Sequence, residues 1–90
     1  VQVKIPTPLR KLTGGADMVE VSAGTVGEAL DALEGKHPGI KTKICDDNGN
    51  VRRFINVYAN QEDIRFQEKL GTALNDGDEI AIIPAIAGGA

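Results

Sequence analysis

The sequence predicts an α+β fold in which one main helix packs on one face of a mostly antiparallel sheet. Three observations lead to this prediction. Apolar and polar residues alternate in several short runs, as expected of strands with one buried face. A single segment, which begins near Thr25, carries apolar residues at helical spacing. Clusters of Gly, Asn, Asp and Pro separate these segments, and such residues favour turns. The 90 residues leave room for one domain.

The N-terminal segment predicts two strands joined by a long loop. Residues 1–5 alternate between apolar and polar side chains, which indicates a strand with one buried face. Pro6 and Pro8 end this strand, because proline cannot donate a ladder hydrogen bond. Residues 9–13 are compatible with either a helical turn or a loop. The alternation returns at residues 18–21, which we expect to form the second strand of a hairpin.

The next segment predicts the main helix. Thr25 and Glu28 have the spacing of a capping box, in which Thr caps a backbone N–H and Glu reaches back. An apolar stripe follows at helical spacing and comprises Val26, Leu30 and Leu33. The segment 37–39, His-Pro-Gly, stops the helix, because proline cannot continue it and glycine tolerates the left-handed conformation that often follows. We therefore expect a helix of about ten to twelve residues.

The middle of the chain predicts a central strand. Residues 40–45 are compatible with a short helix or an extended segment, and residues 46–50 form a turn around Asn48-Gly49. Residues 51–59 then predict a strand. Its two faces are expected to carry Ile55, Val57 and Ala59 on one side and Phe54, Asn56 and Tyr58 on the other.

The C-terminal third predicts short elements and a last strand. Residues 60–63 indicate a turn, and residues 64–66 are expected to pair briefly as a short strand. Leu70, Ala73 and Leu74 suggest one helical turn that packs on the core. The Asn-Asp-Gly-Asp sequence at 75–78 is a strong turn signal. The isoleucine-rich segment 79–84 that follows predicts the last strand.

The charge balance argues against nucleic acid as a partner. The chain has 10 Lys and Arg against 13 Asp and Glu, a net charge of −3 and a pI near 5.0. A protein that neutralises several phosphates normally carries a basic excess. A local basic stretch contains Lys41, Lys43, Arg52 and Arg53, but Asp46 and Asp47 lie between these residues. The pattern therefore favours a mixed, solvated surface.

Cysteine content and hydropathy indicate the compartment. Cys45 is the single cysteine, which excludes an intramolecular disulfide and a multi-cysteine metal site. A secreted domain of this size would often need disulfides. No apolar run approaches the roughly 20 residues that span a bilayer, and the N-terminal residues do not have the pattern of a signal peptide. We expect a cytoplasmic protein without membrane contact.

The usual catalytic constellations are missing from the sequence. His37 is the single histidine and precedes Pro-Gly at a helix end, where the helix dipole favours a cation. Cys45 has Lys43 as its nearest basic residue, which is a weak basis for a reactive thiol. The acidic pairs 46–47 and 62–63 fall in turns, where solvated carboxylates are ordinary. Gly14-Gly15 is not followed by the Lys-Ser/Thr of a phosphate-binding loop. We expect neither an enzyme nor a bound metal or cofactor.

The C-terminal segment carries the strongest motif. The Asp-Gly-Asp turn at 76–78 leads into the last strand, and Gly88-Gly89 follow it near the end of the chain. This arrangement resembles the C-terminal signature of the ThiS/MoaD family of ubiquitin-like sulfur carriers. Residues 53–58 and 62–66 look most similar to the CysO-type carriers of cysteine biosynthesis. The resemblance implies a β-grasp domain at residues 1–84, with a mixed sheet of four to five strands, and a flexible tail at residues 85–90.

The resemblance also implies a function as a carrier that other enzymes use as their substrate. An ATP-using activating enzyme of the MoeB/ThiF type adenylates the terminal glycine carboxylate, which here is Gly89. Sulfur then replaces the adenylate and gives a thiocarboxylate, which donates sulfide to a second, biosynthetic enzyme. The similarity to CysO-type carriers implies that the product of the pathway is cysteine or a related amino acid. The small subunit of molybdopterin synthase is the alternative within the family.

The residue types of the tail suit entry into a narrow active site. Ala87, Gly88 and Gly89 present little or no side chain, and glycine reaches conformations that other residues cannot. Ordering such a tail costs conformational entropy, which a docking surface must offset. The candidates for that surface are Phe54, Tyr58 and Ile83. These side chains could equally cover the second face of the sheet.

Ala90 departs from the family pattern, because it places a residue after Gly89. Some relatives are made with extra C-terminal residues that a peptidase removes, so Ala90 is a candidate for such processing. An artificial extension, tolerance of alanine by the activating enzyme and loss of carrier function are the alternatives. The last of these would leave a β-grasp module that binds a partner without being thiolated.

Overall fold

The computed structural model describes residues 1–53 and 55–84, and these form one mixed sheet of five strands with a helix packed across one face. The predicted fold class is confirmed. The strands are β1 (Gln2–Lys4), β2 (Met18–Glu20), β3 (Ile55–Ala59), β4 (Glu62–Asp63) and β5 (Glu79–Pro84), and the α-helices are α1 (Val26–Lys36) and α2 (Lys41–Ile44). Three short 3₁₀ helices span Thr7–Thr13, Ile64–Phe66 and Lys69–Gly71.

The order of the strands across the sheet is β2-β1-β5-β3-β4. β1 and β5, which come from opposite ends of the chain, are parallel neighbours, with Val3 opposite Ile80. β3 pairs with β5 antiparallel, with Val57 opposite Ile82. The two outer pairings, β1 with β2 and β3 with β4, are antiparallel as well. The sheet is thus a β-grasp arrangement in which the last strand lies at the centre.

Helix α1 begins with the predicted cap. The Thr25 side chain accepts a hydrogen bond from the Glu28 N–H at 3.1 Å. The Glu28 carboxylate reaches one residue further back than in the standard capping box and accepts from the Gly24 N–H at 2.9 Å. Together the two bonds fix the direction in which the chain enters the helix from β2.

One face of the sheet and the apolar face of α1 form the core. The helix buries Val26, Ala29, Leu30 and Leu33, and the strands bury alternate residues on the facing side. Burying a side chain of this size contributes about 1.5–3 kcal/mol. The largest fully buried side chains are Ile5, Leu30, Leu33, Ile40, Ile44, Ile80, Val3, Val26 and Val57. None of the helices in the described ranges is long and apolar enough to cross a membrane.

The main difference from the sequence prediction lies after β3. The short strand expected at residues 64–66 is wrong, because Ile64–Phe66 is a 3₁₀ helix and the edge strand is Glu62–Asp63. The turn uses only Asn60 and Gln61, both at positive φ (53° and 73°), so the chain re-enters the sheet two residues earlier than expected. β3 is also shorter than predicted and begins at Ile55.

Two ambiguous segments and one helical prediction are settled by the structure. The segment 9–13 lies in a 3₁₀ helix, and residues 41–44 form α2. The helical turn predicted near Leu70 is the 3₁₀ helix Lys69–Gly71. It approaches α1 so closely that a Cβ at Gly27 would lie 3.2 Å from the Leu70 carbonyl oxygen, which explains a glycine inside the helix.

We expect Thr25→Val to lower the free energy of unfolding by about 1 kcal/mol, because it removes the capping oxygen with little change of shape. Thr25→Ser is the matched control and should retain most of the stability, since it keeps the hydroxyl. Urea unfolding followed by circular dichroism measures both variants. Equal stability of Thr25→Val and the wild type would show that the cap does not stabilise α1.

Candidate functional site

The predicted site begins where the described residues end. Ala87, Gly88, Gly89 and Ala90 lie outside the described residues, and Pro84 is the last residue of β5. Gly89 is the fifth residue after Pro84, so the Gly89 Cα lies within about 17 Å of the end of β5, at roughly 3.4 Å per residue. β5 is hydrogen-bonded to β1 on one side and to β3 on the other. The tail therefore starts from a fixed point at the centre of the sheet.

The Asp-Gly-Asp signature sets the start of β5. The Asp78 carboxylate accepts a hydrogen bond from the Asn75 N–H at 2.8 Å, and the Asp78 N–H donates to the Asn75 carbonyl at 3.0 Å. Gly77 has φ of +87°, a conformation that side chains disfavour. The Asp78 carbonyl then accepts from the Gln2 N–H at 2.9 Å, which joins the turn to β1. The motif thus fixes the register of the strand that carries the tail.

Asn60 holds the other side of the same turn. Its side-chain oxygen accepts from the Glu79 N–H at 3.1 Å, and its own N–H donates to the Glu79 carbonyl at 2.8 Å. Its positive φ of 53° places both groups beside the beginning of β5. The sequence pattern predicts Asn60 only as a turn residue. Its role in anchoring β5 depends on a contact across 19 residues of sequence, which local patterns do not reveal.

Two of the three docking candidates lie on the face of the sheet opposite α1. In the register of β3 and β5, Ile83 faces Asn56 and Tyr58 faces Ala81. Tyr58 and Ile83 are therefore diagonal neighbours on one face. Tyr58 is half-buried, whereas Ile83 is 46% exposed, a high value for isoleucine in a central strand. The third candidate, Phe54, lies outside the described residues.

A polar network that the sequence analysis missed lies next to this face. The Arg65 guanidinium donates to the Asp63 carboxylate at 2.9 Å and to the Asn56 side-chain oxygen at 2.6 Å. Asp63 also accepts from the Arg65 backbone N–H at 2.9 Å. Side-chain and backbone hydrogen bonds from Arg65 lower the pKa of Asp63, and the bond to Asp63 raises the pKa of Arg65. The network ties the edge strand to β3.

Phe66 is the most exposed large apolar side chain of the described part, at 83%. It follows Arg65 in the 3₁₀ helix Ile64–Phe66. The strand expected from the alternation at 64–66 would have given Ile64 and Phe66 the same face. In the structure Ile64 is buried and Phe66 is exposed. The signal that could have found this difference is Asp63, which caps the 3₁₀ turn through the Arg65 N–H.

The residues with possible catalytic chemistry stay apart from this face. Cys45 is buried, and desolvation raises the pKa of its thiol. Asp46 accepts the backbone N–H groups of Asn48 and Asn50 and so organises a turn. His37 is the C-cap residue of α1, and its backbone N–H donates to the Leu33 carbonyl. Among residues 1–53 and 55–84, no His, Cys, Asp and Glu side chains cluster as a metal site would require.

The chain matches known proteins over nearly its whole length. The model of the ThiS family matches residues 3–89, a range that includes both tail glycines and stops before Ala90. The chain is 45% identical to the sulfur carrier protein CysO of Mycobacterium tuberculosis, over 99% of this chain and 98% of that protein. It is 39% identical to the molybdopterin synthase sulfur carrier subunit of the same organism, over 79% of this chain and 72% of that protein.

The solved structures agree with the sequence matches. The fold superposes on a chain of the BexX/CysO complex of Amycolatopsis orientalis with a TM-score of 0.91. The two chains are 46% identical, and the superposition covers 97% of each. The predicted resemblance to CysO-type carriers is thus confirmed in sequence and in fold.

We expect Asp63→Asn to lower stability at neutral pH, because it removes the charge that Arg65 binds. The folded-state pKa of Asp63 lies below the unfolded value of about 3.9. This group's contribution is therefore fully present above about pH 4 and is lost as the pH falls through the folded pKa. The difference in unfolding free energy between the wild type and Asp63→Asn should accordingly shrink below about pH 4.

Urea unfolding at a series of pH values tests this expectation. Asp47→Asn, which removes one exposed turn carboxylate, is the control for the loss of a surface charge. A difference between the wild type and Asp63→Asn that stays constant from neutral to acidic pH would contradict the assigned network.

We expect Cys45 to react with a thiol-specific disulfide reagent at least tenfold more slowly in the native protein than in guanidinium, since burial hinders access and disfavours the thiolate. The chain has one cysteine, so the absorbance change reports this thiol alone. Equal rates in the native and unfolded states would show that Cys45 is accessible.

Proposed function

The chain belongs to the ThiS family, and on this basis we propose that it is a sulfur carrier protein whose working group is the carboxylate of Gly89. The observation that carries the proposal is the family match through Gly89, together with the position of β5 at the centre of the sheet. A MoeB/ThiF-like activating enzyme uses ATP to adenylate this carboxylate. These reactions convert the Gly89 carboxylate into a thiocarboxylate, which donates sulfide to a biosynthetic enzyme.

The two chemical steps explain why activation comes first. A carboxylate oxygen of Gly89 attacks the α-phosphorus of ATP, and pyrophosphate leaves. Sulfide then attacks the acyl carbon, and AMP leaves with the electron pair of the broken C–O bond, which gives the thiocarboxylate. A free carboxylate resists nucleophiles, and adenylation splits a difficult substitution into two easier steps. The partner enzymes supply the catalytic groups, so the chain itself acts as a substrate and binds no cofactor.

The fold suits this role because the tail has a rigid base. β5 is held by β1 and β3, and the 75–78 turn fixes its register. Ala87, Gly88 and Gly89 offer little steric hindrance to a narrow active site. Ordering the tail there costs entropy, which contacts to the sheet face must offset. We propose that Tyr58, Ile83 and Phe54 belong to that docking surface.

Cysteine or a related amino acid is the proposed product of the pathway. The 45% identity to CysO extends over 99% of the chain, whereas the 39% identity to the molybdopterin synthase subunit extends over 79%. The molybdopterin pathway is the second candidate, because the subunit that matches also carries sulfur. The third candidate is an interaction module that is not thiolated. Ala90 favours it, because this residue follows the glycine that would be thiolated.

We propose that a peptidase removes Ala90 before activation. The family match stops at Gly89. Ala90 has a Cβ, whereas the family presents a glycine carboxylate. Hydrolysis of the peptide bond between Gly89 and Ala90 would expose the Gly89 carboxylate without any change in the domain at residues 1–84.

We expect the chain that ends at Gly89 to exchange one carboxyl oxygen for sulfur when incubated with its activating enzyme, ATP and a sulfide source. Intact-mass spectrometry detects the exchange, and the chain with Ala90 is the matched control that should stay unmodified. Gly88→Val in the chain that ends at Gly89 should lower the rate at least tenfold, because a branched Cβ obstructs the tail.

Absence of exchange in both forms of the chain would contradict the carrier function. Exchange in the chain that retains Ala90 would contradict the processing step alone. The pathway is tested by adding the thiolated chain to candidate sulfur-accepting enzymes and measuring the product. If deletion of residues 88–90 leaves partner binding and growth unchanged, the interaction module is the better description.

A further inference from the structure

A groove of about 310 Å³ opens at the point where β5 ends. It lies where β1 ends opposite Ala81, beside residues 82–84 of β5, which pair with β3 but not with β1. We call it the Lys4–Arg10 groove. It is lined by Lys4, Ile5, Pro6, Thr7 and Arg10 on one side and by residues 81–84 on the other.

The charge of this groove is opposite to that of the whole protein. The chain carries a net charge of −3, yet the lining contains Lys4 and Arg10 and, among the described residues, no Asp or Glu. Neither cation forms an ion pair with a residue in the described ranges. Lys4 is exposed, and the residues directly opposite it in the sheet, Met18 and Ala81, are uncharged. Glu20 and Glu79 are its diagonal neighbours and lie outside the lining of the groove.

Arg10 is held in place rather than free to move with solvent. Its Nε donates to the Ile5 carbonyl at 3.1 Å, and the residue is half-buried. It belongs to the 3₁₀ helix Thr7–Thr13, which follows directly after β1. A guanidinium fixed by one nitrogen presents its remaining N–H groups in a fork that matches a carboxylate. The groove thus contains a positioned carboxylate-binding group next to an apolar wall.

The position of the groove next to the start of the tail indicates which partner surface contacts it. Ala85 is bonded to Pro84, so the first residue of the tail lies within about 3.8 Å, Cα to Cα, of a residue that lines the groove. An enzyme that draws Gly89 into its active site must bring the entrance of that site to within about 17 Å of Pro84. The surface around that entrance is thus close enough to contact the Lys4–Arg10 groove, whose lining includes the exposed Ile83.

We propose that the Lys4–Arg10 groove binds an acidic segment of the activating enzyme, in which a carboxylate pairs with Arg10 and Lys4 and an adjacent apolar side chain packs against Ile83 and Pro84. The inference rests on the proposed carrier function and names the chemistry of the partner surface. A small inorganic anion would use the cations but not the apolar wall, so a peptide segment fits the lining better. Charges at the rim of an interface act mainly on the rate of association.

The test measures binding and thiolation separately. The full chain is titrated calorimetrically, without ATP, against the MoeB/ThiF-like enzyme encoded in the same genome, at low and at high salt. Lys4→Glu and Arg10→Glu are the variants. Lys11→Glu is the matched control, because Lys11 lies on the same 3₁₀ helix, is exposed and does not line the groove.

At low salt we expect each groove variant to bind about tenfold more weakly than the wild type, with a smaller loss at high salt. Lys11→Glu should stay within about twofold of the wild type. Lys4→Glu breaks no hydrogen bond of the described residues, so its result stands even if Arg10→Glu disturbs the 3₁₀ helix. Thermal unfolding of both variants separates weak binding from loss of structure.

Equal weakening by Lys11→Glu and Lys4→Glu would overturn the inference, because it would show a general effect of net charge. Tighter or unchanged binding of Lys4→Glu would overturn it too, and so would absence of binding by the wild type. Thiolation of the chain that ends at Gly89 is followed by intact mass in parallel. If that chain is thiolated and Lys4→Glu binds normally, the groove assignment fails while the carrier function stands.

Discussion

The structure depends on one constraint, which is that β5 pairs with β1 along residues 79–81 and with β3 along residues 80–84. β1 supplies the parallel partner and β3 the antiparallel one, so the two ends of the chain meet at the centre of the sheet. The 75–78 turn and Asn60 then fix where the strand begins. A strand held in this way cannot shift its register without moving its buried residues, Ile80 and Ile82, out of the core. The end of β5 is therefore a fixed origin for the tail.

Helix α1 packs on one face of the sheet, and the described residues leave part of the opposite face exposed. Helix α1 and the 3₁₀ helix Lys69–Gly71 use the apolar side chains available to them on the inner face. The opposite face keeps Ile83 exposed, and Phe66 is exposed in the 3₁₀ helix that follows the edge strand β4. Contiguous exposed apolar patches commonly mark interaction sites, and we propose that Ile83 belongs to such a patch. The exposed face of the sheet is thus the surface that we propose for docking a partner.

The sequence was most informative where a local rule decides the structure. The Thr25 cap, the stop at residues 37–39 and the turn at 75–78 are local, and each was predicted in place. The strand expected at 64–66 was wrong because an Asp63 hydrogen bond to the Arg65 N–H outweighs the alternation of apolar residues. The Lys4–Arg10 groove could not be predicted from the sequence. Its two walls are more than 70 residues apart and come together through the pairing of β1 with β5. The family resemblance identified the tail, but not the surface that guides it.

The division between a fixed body and a plain tail explains how a carrier can serve two enzymes. The tail has almost no side-chain chemistry, so it can enter different active sites, and affinity and choice of partner must come from the body. In the docking that we propose, apolar contacts at Ile83 offset the entropy lost when the tail becomes ordered. Charges at Lys4 and Arg10 act over about 8–10 Å in physiological salt, which steers the encounter before the tail is captured. A weak, charge-assisted contact also dissociates quickly, and a carrier that must leave one enzyme for the next requires this property.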